Sequence, residues 1–473
     1  MPYQFERFSI ASAGSTRRNC YDTSLRARVP ERTLRSLRSY AMSWKRRYSI
    51  LVTLLSAYLL CYLDRLVMAS AIPFIAADFH LLPSGMGAVL GAFFAGYAVM
   101  QIPGGLLVDK FGARSLLALS ILCWSVSTAL TGAAGSLTAM LVIRVLFGLS
   151  EGPFPPATSK VVALWFPYRE IGRATGILLA GALIGAAFTP LFVTTLVSRW
   201  GWRPVFYSLM FPGLLLTSIV WIFVKGRADD SATGVSQDVP AYVGDARTSL
   251  EQKRSKEQLD HPNSSARIGL TQLLRTPGVM WTTATLFMSG LASWGLLNWL
   301  PTYLLQARGF SVIRMGVFAT FPSLAGALGY VLGGLLSDRY FSERRHVPIV
   351  FGLALGSGFT CLAATAPSGE WAVAYLVAAF LCTHVASSGI FTLPLVLVPS
   401  GAVGGAFGIV NTAGQTAGFL SPILVGYLLE MSDKNFRLVF FCFVGLFLAA
   451  AAAAWQIKPT ARTVGATEQP VTE

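Results

Sequence analysis

Apolar stretches of about 20 residues recur twelve times along the chain, near 48–76, 84–108, 114–134, 137–159, 172–198, 204–224, 279–305, 311–336, 347–366, 371–397, 403–429 and 436–457. Each is long enough to cross a hydrocarbon core of ~30 Å as a helix. Prolines fall inside several of them, among them Pro73, Pro103, Pro153, Pro155, Pro156, Pro190, Pro301, Pro322, Pro394 and Pro422. Such breaks are tolerated in membrane helices where neighbouring helices or a water-filled cavity satisfy the freed backbone groups. The pattern therefore predicts an all-α polytopic membrane protein of twelve transmembrane helices that bend around something. A polar segment, 225–276, with Lys253, Arg254, Lys256, Asp229, Asp230 and Asp260, separates six spans from six and reads as a solvated linker.

The two sides repeat each other. Met86-Gly87 followed by Gly104-Gly105-Leu106-Leu107-Val108-Asp109-Lys110 returns as Met315-Gly316 followed by Gly333-Gly334-Leu335-Leu336-Ser337-Asp338-Arg339, at one shared offset of 229 residues. A duplicated six-helix unit predicts two pseudo-symmetric bundles, the build of a transporter whose halves move against each other. The expected organisation is a basic tail over 1–44, a bundle over 45–224, the linker over 225–276, a second bundle over 277–458 and a tail over 459–473.

Composition agrees with this reading: 54% of the 473 residues are hydrophobic and 12% charged, with mean hydropathy +0.58. Soluble domains carry about 25% charged residues, so a soluble enzyme is excluded, and a disordered chain would be less apolar. The net charge of +15 invites a nucleic-acid reading, but its distribution removes the need for one. With the N-terminus inside, segments on the cytoplasmic side from Lys45 onward hold 21 Lys or Arg and the outer loops hold six. That bias puts both termini and the linker in the cytoplasm. Residues 1–44, with eight Arg, read either as a transit peptide or as sequence upstream of a start at Met42, and are expected to be disordered. The six Cys show no paired spacing and read as packing residues.

Four charged side chains fall deep inside predicted spans: Asp64 and Arg65 in the first, Arg144 and Glu151 in the fourth. Each costs about 2.5–3.5 kcal/mol on insertion scales, so their concentration in two helices demands a reason. Arg144 and Glu151 are seven residues apart, nearly two turns, so they point the same way ~10 Å apart along the axis; Asp64 and Arg65 lie at a depth between them. Arg presents a permanently charged fork of donors suited to a carboxylate or phosphate. A carboxylate in a low-dielectric site can take up and release a proton. The arginines are thus anion-contact candidates and the carboxylates proton-coupling candidates. The bland alternatives are that Arg144 bonds loosened carbonyls and that Asp64 only neutralises an arginine. Glu151 precedes Gly152-Pro153-Phe154-Pro155-Pro156, where the helix is expected to be disturbed.

At the 229 offset Asp64 maps to Ser293 and Glu151 to Phe380, so no charged copy survives in the second half. Its polar and aromatic residues include Trp294, Asn298, Trp299, Tyr303, His384, Ser387, Ser388, Asn411, Thr412 and Gln415. Asn411 and Gln415, four apart, share a helix face and suit substrate hydroxyls as well as they suit interhelical hydrogen bonds. His384 reads as a packed residue more readily than as a proton relay. The duplicated Gly-Gly-x-x-x-Asp-Lys/Arg element ends spans two and eight. There Gly105, Asp109, Lys110 and Arg114, with Asp338 and Arg339, read as a gating latch, and simple loop structure is the alternative. The small residues of span five, Gly176, Gly181 and Gly185, predict close packing.

Over 45–458 the sequence resembles the major facilitator superfamily. Gly105-x-x-x-Asp109-Lys110-x-Gly112-x-Arg114 is similar to that superfamily's motif between helices two and three. Within it the chain resembles the anion:cation symporters, which include sugar-acid, hexuronate and phthalate permeases and sialin-like proteins. Tyr62-x-Asp64-Arg65, Arg144-x-x-x-Gly148-x-x-Glu151 with Trp165-Phe166-Pro167, and Gly408-x-x-Asn411-Thr412-x-Gly414-x-x-x-Gly418-x-x-x-Pro422 carry that likeness. Gln415 and Lys160 depart from its pattern. The resemblance implies proton coupling at Asp64 and Glu151, anion contacts at Arg65 and Arg144 and a substrate contact at Asn411; Tyr62, Asn298 and Gln415 are further substrate-site candidates. The function expected is proton-coupled uptake of a small organic anion, a sugar acid or another carboxylate, by alternating access in a bacterial cytoplasmic membrane. No cofactor, metal, nucleic acid or enzymatic activity is expected, and the protein is expected to be a monomer in the bilayer. The competing readings are an organophosphate exchanger, a drug-efflux antiporter and a nutrient sensor that binds without translocating.

Overall fold

A computed structural model describes residues 31–166, 168–224, 270–341, 344–398 and 402–457. The chain divides at Leu51 into an N-terminal unit and a larger one, Val52–Glu473; the packing below belongs to the larger. The expected tail 1–44 falls outside the described residues up to 30, and from Glu31 the backbone is already helix. The linker 225–276 falls outside them up to 269.

The helices, in chain order, are α1 Glu31–Phe79, α2 Pro83–Phe111, α3 Ala113–Ala133, α4 Leu137–Glu151, α5 Phe154–Trp165, α6 Tyr168–Trp200, α7 Arg203–Phe223, α8 Leu270–Leu274, α9 Pro277–Thr302, α10 Val312–Arg339, α11 His346–Ala364, α12 Gly369–Leu397, α13 Val403–Met431 and α14 Phe436–Trp455. Ten of the spans, α4 and α5 counting as one, are long and apolar enough to cross a membrane. The 26-residue α9 and the 29-residue α13 are of matching length and more polar. The predicted fourth span is broken after Glu151, where Gly152 and Pro153 form a turn before α5 restarts. Proline there lacks an N–H and cannot continue the ladder.

Local sequence sets most ends. Ser136, Ser311, Ser368 and Asn435 cap the starts of α4, α10, α12 and α14 by accepting backbone N–H groups, and Pro occupies the first turn of α2, α5, α7 and α9. Gly112 separates α2 from α3 at φ 84°, a conformation that glycine adopts without a steric cost.

Two interfaces join the first six spans to the last six, α2 with α13 and α6 with α10. Both are backbone-close. A Cβ on Gly91 would lie 2.7 Å from the Phe419 carbonyl oxygen, and Gly87 and Gly426 meet Pro422 and Pro83 as tightly. Gly316 of α10 packs on Thr194 and Pro190 of α6. These contacts lie at the ends of the helices away from the linker, which we call the far end. In the expected close-packing span, Gly181 and Gly185 of α6 abut Leu55 and Leu59 of α1, while Gly176 has open space beside it.

The duplication is visible in packing as well as in letters. A Cβ on Gly104 would lie 2.9 Å from Pro153 Cα, and one on its repeat mate Gly333 would lie 2.8 Å from Ser388 Oγ; Gly105 and Gly334 face open space. The close-approach glycine of the motif is therefore the first of each pair, and Gly105, singled out from the sequence, is not the one that packs.

Candidate functional site

The largest internal space, about 560 Å³, is walled by both sets of spans. From α1 come Tyr58, Cys61, Tyr62 and Arg65, from α2 Tyr97 and Gln101, and from the first turn of α5 Phe154–Pro156. From the second half come Ser293 and Trp294 of α9, Tyr330 of α10, His384 and Ser387 of α12, and Asn411 and Gln415 of α13. The lining extends to Ser159, Phe391 and Phe407, so the space runs from mid-membrane toward the linker end, beyond the tight α2–α13 and α6–α10 contacts. A volume of this size suits a small molecule.

Among the described residues Arg65 is the one charged side chain in that lining. It is buried to 8% exposure and its Nε donates to Glu151 Oε1 at 3.1 Å; a terminal nitrogen pairs with the same oxygen. The Cys61 thiol donates to that oxygen too, at 3.1 Å. Three rings cradle the guanidinium, with its carbon 4.9 Å from the Tyr62 centroid, 5.0 Å from Phe93 and 4.8 Å from Tyr97. Glu151 itself is fully buried behind the wall, and its Oε2 has no hydrogen-bond partner. The pair exists because Glu151 ends α4 at the Gly152-Pro153 break, opposite the middle of α1.

Asp64 and Arg144 form a second layer, away from the cavity. Neither oxygen of Asp64 completes a hydrogen bond, although Thr128 Oγ1 and Trp124 Nε1, themselves buried and unpaired, are its polar neighbours. Arg144 is 3% exposed with its Nε unpartnered, and stands in the field of both carboxylates. Phe93 lies between the two cations, 5.0 Å from the Arg65 carbon and 5.6 Å from that of Arg144; Phe147 takes the other contact of Arg144 at 4.9 Å. Arg144 and Glu151 share a helix face in the sequence, and in three dimensions the ion-pair partner of Glu151 is Arg65, across two helices. Arg144 does not reach the lining in this conformation.

The neutral candidates divide. Asn411 and Gln415 line the cavity, with Gln415 Nε2 3.5 Å from Asn411 Oδ1 and Gln415 Oε1 buried without a partner. Asn298 does not line it: it is 5% exposed and donates to the Trp294 carbonyl at 2.8 Å. Tyr303 packs at the far end against Phe436 and Phe440, and Arg308 donates to its hydroxyl at 2.6 Å. Tyr97, Gln101, Tyr330 and Ser159 were not singled out from the sequence; the available signal was a polar or phenolic group inside an apolar span.

Of the gating candidates, Asp109 pairs with Lys160 at 2.7 Å, and Lys160 also donates to the Val108 carbonyl at 3.3 Å. This ties the linker ends of α2 and α5. Arg114 donates to the Trp221 carbonyl and lies over its ring, 4.6 Å from the centroid. Lys110 and Arg339 lie over the neighbouring rings of Phe111 and Tyr340. The side chain of Asp338 falls outside the described residues. Among the described residues no group of His, Cys, Asp and Glu is arranged to hold a metal.

The known proteins that this chain is similar to include membrane carriers. The probable sulfoacetate transporter SauU of Cupriavidus necator is 32% identical over 425 residues, covering 88% of this chain and 94% of its own. The probable galactarate/D-glucarate transporter GarP of Escherichia coli K12 is 31% identical, covering 83% and 91%. The hexuronate transporter of Bacillus subtilis is 28% identical, covering 87% and 92%. In three dimensions the chain superposes on a bacterial homologue of the human lysosomal transporter Spinster with TM-score 0.71 at 18% identity, covering 87% and 96%, and on the D-xylose–proton symporter with TM-score 0.66 at 15%, covering 87% and 98%. The sequence profile of the Major Facilitator Superfamily matches residues 54–422, so this integral membrane chain is a transporter, not an enzyme, and belongs to that superfamily as a permease of the anion:cation symporter type.

Proposed function

We propose that the protein takes up a small organic anion, a sugar acid or a related carboxylate, together with protons across the bacterial cytoplasmic membrane. Both termini and the linker lie inside, following the basic-residue bias, and the protein acts as a monomer. The observation that carries this reading is a cavity-facing cation, Arg65, the single one among the described residues, whose counter-ion Glu151 sits behind it and out of the cavity. Relatives named for sulfoacetate, galactarate or glucarate and hexuronate support an organic acid as cargo.

The mechanism follows from competition for one guanidinium. Ionised Glu151 occupies the Nε edge of Arg65 and satisfies its charge. A proton on Glu151 removes that counter-ion and leaves a buried cation uncompensated, which costs several kcal/mol unless another anion arrives. The cargo carboxylate is that anion, and Arg65 grips it with charge-assisted hydrogen bonds. Proton and anion thus favour each other's binding, the reciprocity that coupling requires. Tyr62 and Tyr97 hold the guanidinium plane, while Asp64 and Arg144 behind Phe93 form a second titratable layer that senses whether Glu151 is charged. Alternation would break the far-end α2–α13 and α6–α10 contacts and close the linker end, where Asp109–Lys160 and its surroundings act as the latch. A ligand drives this change only by binding one arrangement preferentially.

The test is uptake by purified protein in liposomes across a panel of carboxylates, with and without an inward proton gradient. Gradient-driven accumulation is expected. Glu151→Gln should lose it and keep counterflow exchange, because the neutral side chain mimics the protonated state. Uptake indifferent to the gradient, or unimpaired in both Glu151→Gln and Asp64→Asn, would refute symport.

A further inference from the structure

The wall facing Arg65 narrows the cargo further, and here one histidine decides. His384 of α12 lines the cavity on the side built by the last six spans. Its ring is immobilised on three sides. It stacks on Phe380 at 17° with centroids 5.6 Å apart and meets Tyr330 edge-on at 5.4 Å. It also covers Gly326, where a Cβ would lie 3.1 Å from ring atoms Cε1 and Nδ1.

The polar contact of the ring sets its tautomer. Nδ1 lies 2.8 Å from the Phe380 carbonyl oxygen, and a carbonyl can only accept, so Nδ1 carries the proton. Among the described residues no carboxylate lines the cavity to hold an imidazolium, and Arg65 is a cation in the same space. The ring is therefore neutral, and Nε2 presents a lone pair with no partner among the described residues. Gln415 Oε1, also in the lining, is a second buried acceptor without a partner. An ionised carboxylate has only acceptors to offer such a surface, whereas a hydroxyl supplies the missing donor.

We propose that His384 is a specificity-determining residue: its Nε2 is a standing acceptor that reads a hydroxyl at the end of the anion remote from Arg65. This makes the cargo a hydroxylated monocarboxylate and refuses a second carboxylate at that position. The inference rests on the anion reading given above. Among the described residues one cavity cation matches one anionic group, so a monocarboxylate fits this lining better than a dicarboxylic sugar acid does.

Paired probes test it on the full chain in liposomes. Each pair is an aldonate and the aldarate of the same length and stereochemistry, which differ only in a terminal hydroxymethyl against a carboxylate, taken across four to six carbons. Wild type should bind and carry an aldonate at least tenfold better than its aldarate partner. His384→Phe keeps the stacking ring and removes the acceptor; it should lower aldonate affinity about tenfold, the equivalent of one hydrogen bond, and leave aldarate affinity within twofold. His384→Gln, whose amide oxygen reaches where Nε2 lies, should recover most of the loss. A deoxy-aldonate lacking the terminal hydroxyl should be insensitive to His384→Phe. Equal handling of aldonate and aldarate by wild type, with gradient-driven uptake of both, would overturn this inference and leave the anion-symport reading standing. An equal loss for both probes in His384→Phe, unrescued by Gln, would overturn it as a mere packing effect. Binding of no carboxylate in either series would overturn the anion reading and this inference with it.

Discussion

The two halves of the molecule share an architecture and divide the chemistry. In the first, Asp64, Arg65, Arg144 and Glu151 are all below 9% exposure, with Phe93 against both arginines. In the second, the positions at the 229 offset from Asp64 and Glu151 are Ser293 and Phe380, and the cavity wall is neutral. The glycines that bring helices into contact, Gly104 and Gly333, are kept in both. Backbone approach is a steric requirement common to any pair of bent helices, so duplication preserves it. Buried charges are costly and mark functional positions, so they need not be duplicated. One half can therefore hold the ionic machinery while the other supplies hydrogen-bond recognition.

The most severe way to break this asymmetry is Arg65→Ala. It should abolish transport and, by leaving Glu151 buried without its counter-ion, cost about 3–5 kcal/mol of stability. Adding Glu151→Gln should restore the melting temperature and leave transport absent, read by thermal unfolding in detergent beside liposome uptake. Next, giving the second half the charge that it lacks, by Phe380→Glu, should cost up to about 2.5–3.5 kcal/mol, because the cation that shares its cavity, Arg65, is already paired with Glu151; Phe380→Leu should cost clearly less in the same assay. The shared packing should respond alike in both halves. Gly104→Ala and Gly333→Ala should slow transport severalfold through displaced α5 and α12 backbones, whereas Gly105→Ala and Gly334→Ala should stay near wild type in initial uptake rates. The smallest effect is expected at the linker-end pair, where Asp109 is 75% exposed. Lys160→Gln should change stability by less than about 1 kcal/mol, and its signature should be a shifted rate of reorientation in single-turnover counterflow.

Apart from α1, which begins at Glu31 and not near 48, most helices were legible in the sequence to within a few residues, because a bilayer imposes a minimum apolar length and Ser, Asn, Pro and Gly mark starts and stops. The break after Glu151 was legible too, since Pro153 cannot extend a helix. That four ionisable residues in two spans belong to one site was legible from their cost alone. Their pairing was not. Spacing along the fourth span brings Arg144 and Glu151 to one face, yet the partner of Glu151 is Arg65 on α1, and Arg144 lies behind Phe93. Likewise Asn298 and Tyr303 carry the same signal as Asn411 and Gln415, and only the rotation of α9 turns the first two away from the cavity.

By itself, then, the sequence determined the helical repertoire, the duplicated halves and which side chains are too costly to be idle. Those follow from hydropathy, from repetition and from the price of burying charge, all of which are properties of the chain alone. The tertiary structure decided which charge faces the cavity, which is held in reserve, and that the histidine opposite presents a lone pair and not a proton. Those depend on how neighbouring helices are rotated and where a carbonyl or a ring sits within a few ångströms, and no linear spacing encodes that.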